Sequence, residues 1–210
     1  FLNDAYDVWK VPFDGSTPIR LTRGREQKII FRIHHFIKNN IAVFSGSVAV
    51  DLSNEIVFSA SSDNATGYFI RKPNGTFKPI VYNDYSNKAI LKATKAPYYV
   101  YQSQHFSQPH ALHSYHSKTT ESKTVFQSNP HYVNYLWGKQ EQIQYKNAKN
   151  ETLKGILYYP VAYDANKKYP MVVSIYEELN FLKHNYFNPT MYNSMGFNVT
   201  NLTTQGYFVL

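Results

Sequence analysis

The sequence predicts a mainly β chain that turns α/β towards its C-terminal end. Three observations carry this. Runs rich in Val, Ile, Tyr and Phe fill the first 140 residues, broken by clusters of Gly, Asn, Asp, Ser and Pro. Two of the breaks are Asp-Gly and Asn-Gly pairs between apolar runs, the strongest short-range hairpin signal. Beyond Glu141 the pattern changes, and runs apolar on both faces appear, as buried parallel strands require.

The first hairpin unit is Val8–Thr22, turning at Asp14-Gly15 and continuing through Pro18-Ile19. The second is Tyr68–Tyr82, turning at Asn74-Gly75 and continuing through Pro79-Ile80. The turn glycines lie 60 residues apart and the prolines 61, so the two units match with a one-residue difference. A third candidate, Ala111–Phe126, turns at Thr119-Thr120-Glu121. These offsets exceed the ~40–50 residues of a propeller blade, a gap that long inter-strand loops would fill.

From Glu141 to Tyr145 the residues alternate, Lys146–Asn150 is a polar turn, and Leu153–Tyr159 returns as a strand before Pro160. The run Tyr169–Tyr176 reads as a buried, parallel strand. A short helix is expected near Asn188-Pro189-Thr190, with proline in its first turn. Thr203–Leu210 then reads as a helix end, a Gly206 cap and a new buried strand. Because that strand stops at Leu210, the chain is expected to be a fragment of something longer.

Spacing excludes several chemistries. The nine glycines include no pair closer than Gly67 and Gly75, which rules out GxGxxG, GxxxxGK[ST] and GxSxG within these residues. Without cysteine there is no disulfide, no thiol nucleophile and no Cys-ligated metal. The net charge of +8 comes from basic residues scattered mostly singly, which reads as a solvated surface and not a nucleic-acid face. Apolar stretches such as Met171–Val173 and Phe208–Leu210 are too short to cross a bilayer, so no membrane partner is expected. The polar, Asn- and Tyr-rich, cysteine-free make-up suggests a periplasmic or extracellular location.

Five segments in order now carry a resemblance. They are Pro97-Tyr-Tyr-Val-Tyr101 with Pro109-His-Ala-Leu112, Leu136-Trp137 leading into Glu141-Gln-Ile143, Leu153-Lys-Gly-Ile-Leu-Tyr-Tyr-Pro160, Lys168-Tyr-Pro-Met-Val-Val-Ser-Ile-Tyr176, and Leu202-Thr-Thr-Gln-Gly-Tyr-Phe-Val-Leu210. Together they resemble the prolyl oligopeptidase family of serine peptidases, which includes the dipeptidyl peptidase IV type. The resemblance implies a partial β-propeller over residues 1–138, followed over 139–210 by the first strands of an α/β-hydrolase domain. It implies a short peptide substrate, no cofactor and no metal, and the rest of the same protein as partner; a homodimer is also compatible. The family's nucleophilic serine, aspartate and histidine lie beyond the position of Leu210, so this segment alone is expected to be inactive. The rival reading is a non-catalytic propeller or sandwich module that binds peptide or glycan.

On that resemblance Tyr176 stands where the family has its oxyanion-hole tyrosine. A phenol at the end of a buried strand can donate to the oxyanion of acyl transfer; the alternative is a packing tyrosine. The family usually continues with Gly-Gly or Ala-Gly and then Pro, whereas here Glu177-Glu178-Leu179 follows. Glu177 and Glu178 could hold a substrate's free amine by charge-assisted hydrogen bonds, or form an exposed acidic loop. His105, His110, His113 and His116 lie within twelve residues. Helical spacing would suit a metal, but the β context places His110 and His116 on one strand face and His113 on the other. Trp9 and Trp137 are expected to pack.

Overall fold

The computed structural model describes residues 1–36, 50–176, 179, 182–190 and 197–210. The chain divides into two units, 1–103 with 112–125, and 104–111 with 126–210. It is mainly β, built from successive antiparallel sheets of the kind that make propeller-like blades. Among the described residues no sheet closes on itself.

The first unit opens with a three-stranded sheet of β1 (Leu2–Asn3), β2 (Val8–Lys10) and β3 (Ile19–Arg20), and a one-turn helix α1 (Gly24–Gln27). An up-and-down meander follows: β4 (Ile30–Ile33), β5 (Ile56–Ser61), β6 (Thr66–Arg71) and β7 (Phe77–Asn83). A second meander comprises β8 (Ser86–Lys92), β9 (Tyr98–His105), β10 (Gln108–His116) and β11 (Ser122–Gln127), in the order β11-β10-β9-β8.

The expected turns form, and their side chains explain why. Asp14 Oδ1 accepts from Ser16 N–H at 3.0 Å, and Asn74 Oδ1 from Thr76 N–H at 3.1 Å. Each is followed by a glycine at φ near +80 to +90°, a conformation a Cβ would strain. Pro79, which lacks an N–H, falls on the outermost strand of its sheet beside a register shift at Tyr68/Phe69, where a missing donor is tolerated.

Two cores fill this unit. Val57, Tyr68, Ile70, Ile80, Ile90, Tyr99, Tyr101 and Tyr115 form one; Val8, Ile29, Phe31, Ile56, Phe58 and Ala60 form the other. Beside the second lies the fully buried carboxylate of Asp7. It accepts from Thr22 Oγ1 (2.6 Å), Gly24 N–H (2.5 Å), Arg25 N–H (3.3 Å) and Arg20 Nη2 (2.5 Å). Burial works against its charge, but these donors outweigh it and hold the carboxyl below its ordinary value. The network pins β3 and the start of α1 to β2.

The second unit contains a 3₁₀ turn (Pro130–Asn134), strands β12 (Gln140–Lys146), β13 (Thr152–Tyr158), β14 (Met171–Val172) and β15 (Phe208–Val209), and helix α2 (Val199–Thr204). β12 and β13 pair in full antiparallel register from Gln140↔Tyr158 to Lys146↔Thr152, as the alternation predicts. β15 inserts between β13 and β14, antiparallel to the first and parallel to the second. Phe106, Ile156, Tyr158, Val199 and Val209 make its core. The predicted helix end, Gly206 (φ +86°) and buried strand are all present.

Two expectations are corrected. Residues 188–190 are not helical; the helix starts at Val199, because Asn198 supplies the cap that Pro189 cannot, its side chain accepting from Asn201 N–H at 3.1 Å. The run Tyr169–Tyr176 is not a buried strand. β14 spans two residues, and Met171 (50%), Val173 (54%) and Ile175 (88%) are exposed. β14 is the outermost strand of its sheet, so among the described residues one of its edges has no neighbouring strand.

Candidate functional site

Tyr176 lies four residues past the carboxyl end of β14. Ser174 N–H donates to Leu210 O at 2.7 Å, which extends the parallel pairing to within two residues of Tyr176. The side chain is 70% exposed, and its hydroxyl has no hydrogen-bond partner among the described residues. Glu177 and Glu178 lie outside the described residues.

At the base of the β12–β13 hairpin, three side chains interlock. The Tyr159 hydroxyl donates to Glu141 Oε1, Lys139 Nζ lies 3.2 Å from Glu141 Oε2, and the same ammonium sits 4.3 Å from the Tyr159 ring centroid. The Tyr159 bond, joined by Lys139, holds Glu141 below its ordinary value, and the Glu141 bond pushes Tyr159 up. Tyr159 is therefore a donor and not a base. Its ring continues into a half-exposed aromatic group with Tyr163, Tyr169 and Phe208, at centroid separations of 5.0–5.9 Å.

The clustered histidines do not converge. β10 is a continuous strand, so its histidines alternate between faces. His113 stacks on Tyr101 at 5.0 Å, with its ring nitrogens against Ser103 Oγ (2.6 Å) and Thr124 Oγ1 (3.2 Å). Burial lowers its pKa, so it is a neutral, satisfied packing residue. His116 Nδ1 accepts from Thr119 N–H and stabilises its turn. Both tryptophans pack as expected: Trp9 Nε1 donates to Asp4 Oδ2 (3.1 Å), and Trp137 Nε1 to Tyr132 O (3.0 Å) beside the Tyr186 ring.

Sequence reasoning missed a polar cluster on the second unit. Gln104 Oε1 accepts from Tyr186 N–H (3.0 Å), and its Nε2 donates to Asn185 Oδ1 (3.3 Å). Gln140 Nε2 lies 3.3 Å from both His105 Nε2 and His184 Nδ1. These partners are separated by up to 82 positions, so no local spacing could reveal them.

No protein-family model and no curated protein matches the chain. Solved structures do resemble it. Against the isopeptidase AtxE2 the TM-score is 0.61 at 14% identity, covering 92% of this chain and 27% of that one. Against Porphyromonas gingivalis dipeptidyl peptidase 4 the values are 0.57 and 17%, over 76% and 23%. Against a putative dipeptidyl aminopeptidase IV from Bacteroides ovatus they are 0.59 and 16%, over 97% and 28%. The chain thus spans about a quarter of the length of the structures it matches, and at these identities the likeness is one of fold.

Proposed function

We propose that the chain is a segment of a serine-type peptidase acting on short peptides. Residues 1–138 form the last blades of a propeller, and residues 139–210 open an α/β-hydrolase catalytic domain. One observation carries the reading. β14 and β15 are parallel strands with α2 ahead of β15, and Tyr176 lies beyond the carboxyl end of β14 with its hydroxyl in solvent. Open α/β sheets bind their ligands at the carboxyl ends of parallel strands. The fold likeness to peptidases supports it.

In the whole protein a serine outside this segment attacks the peptide carbonyl, and a histidine takes its proton and returns it to the leaving amine. Tyr176 donates to the oxyanion. Glu177 and Glu178 receive the substrate's free amine. The propeller restricts access to short peptides.

The test is made on the full-length protein. Tyr176→Phe is expected to lower kcat by about 10²–10³, as removal of one oxyanion donor does. The loss falls on kcat more than on KM, because the ground-state carbonyl is bound less strongly than the oxyanion. Since the hydroxyl is exposed, the melting temperature is expected to stay put. A kcat within about threefold of the parent, or stoichiometric fluorophosphonate labelling of a serine within residues 1–210, overturns the reading.

A further inference from the structure

Three side chains distant in sequence meet in the second unit. His105 ends β9, Gln140 opens β12, and His184 belongs to the turn around Leu182–Asn185. The nearest ring nitrogens of His105 and His184 lie within 4.8 Å of each other, and the ring centroids are 5.7 Å apart. His105 Nε2 and His184 Nδ1 each face the Gln140 amide at 3.3 Å. His184 is buried, and Gln140 Oε1 is buried without a hydrogen-bond partner.

We propose that His105, His184 and Gln140 form a binding site for a borderline divalent cation of the zinc class. Half a turn of the terminal amide brings Gln140 Oε1, in place of Nε2, to face both imidazoles. Three lone-pair donors then point at one spot, two imidazole nitrogens and an amide oxygen. Nitrogens bound to zinc at ~2.0–2.1 Å in tetrahedral geometry sit ~3.4 Å apart. The rings therefore close by about 1.5 Å at most, a side-chain rotation that leaves the strands in place. Ser107 Oγ (3.2 Å) and Ser107 N–H (3.5 Å) both face His105 Nδ1 and orient the ring, whose Nε2 faces Gln140. Water completes the shell. Two imidazoles in the donor set favour imidazole-loving ions over Mg²⁺ or Ca²⁺. The site is independent of the peptidase reading and departs from the metal-free expectation drawn from sequence.

The alternative is a glutamine that merely bridges two imidazoles by hydrogen bonds. Untagged, chelator-stripped full-length protein titrated with ZnCl₂ separates the two. Expected is one zinc per chain and no response to MgCl₂. His105→Ala and His184→Ala are each expected to weaken binding at least tenfold, and Ser107→Ala less than either; loss of an outer-sphere partner alone typically costs about 10–100-fold. Should His184→Ala fail to fold, wild-type imidazole NMR decides: zinc is expected to shift the His105 and His184 ring signals and leave those of His113 unmoved. Absence of zinc binding, affinity unchanged in both alanine variants, or shifts confined to other histidines overturns the site.

Discussion

Asp7→Asn should destabilise the first unit severely. The amide keeps one oxygen, which can still accept from Thr22 Oγ1 and Gly24 N–H. Its NH₂, however, replaces the oxygen that receives Arg20 Nη2 and Arg25 N–H, so donors face donors in a fully buried place. Breaking a buried ion pair from one side costs about 3–5 kcal/mol. Arg20 is a quarter exposed and retains Glu26 at 2.5 Å, so the lower end applies, about 3 kcal/mol. At ~2–4 °C per kcal/mol for chains of this size, the melting temperature should fall by roughly 6–12 °C. This 210-residue chain has two tryptophans, and Trp9 lies beside this network, with Arg20 6.0 Å from its ring centroid. In a Trp137→Phe background its fluorescence therefore reports the melting of the first unit. Pairing Asp7→Asn with Arg20→Met should recover part of the loss, since the orphaned cation goes too. A fall of less than ~2 °C, or no recovery in the double variant, would mean that the network is peripheral to the fold and the magnitude argument is wrong.

Acid should expose the same group. Asp7 has its folded pKa below the unfolded value, so its contribution is complete above about pH 5 and fades as pH falls through the folded pKa; the gap between wild type and Asp7→Asn in denaturant midpoint should narrow below about pH 4. Gly67→Ala should cost about 2–3 kcal/mol, the upper end for overpacking, because the new Cβ would stand 1.9 Å from the Val81 carbonyl oxygen across the β6–β7 pair; thermal melting checks it. Asn198→Ala should cost about 1 kcal/mol by removing the α2 cap, while Asn198→Asp should keep the cap and lose the donors to Asn188 O and Thr190 O, so denaturation should rank the two variants.

Much of the fold was legible because its determinants are local. Asp14-Gly15 and Asn74-Gly75 carry their turn within four residues, and the β12–β13 alternation fixes a register that a one-residue slip would turn inside out. Gly206 likewise marks the end of α2. The helix start was misplaced because proline and asparagine both signal an N-terminus, and the sequence does not say which segment the tertiary contacts will favour. The exposure of Tyr169–Tyr176 could not be read either: an apolar run declares what a strand can bury, not what covers it. Tyr176 could be named from a resemblance, whereas His184 could not, because its meeting with His105 is made by folding across 79 positions of chain.

The four-stranded sheet of the second unit has two edges of opposite character. β12 presents Gln140, Glu141, Gln142, Gln144 and Lys146, and a strand that adds there must strip water from amides and charges. β14 continues into Val173, Ile175 and Tyr176, without a charge and open to solvent. Natural sheets blunt their edges with the first kind of sequence and hide the second. Among the described residues, therefore, the β14 edge is a one-sided template for strand addition. A strand edge of this kind, left uncovered, favours self-association.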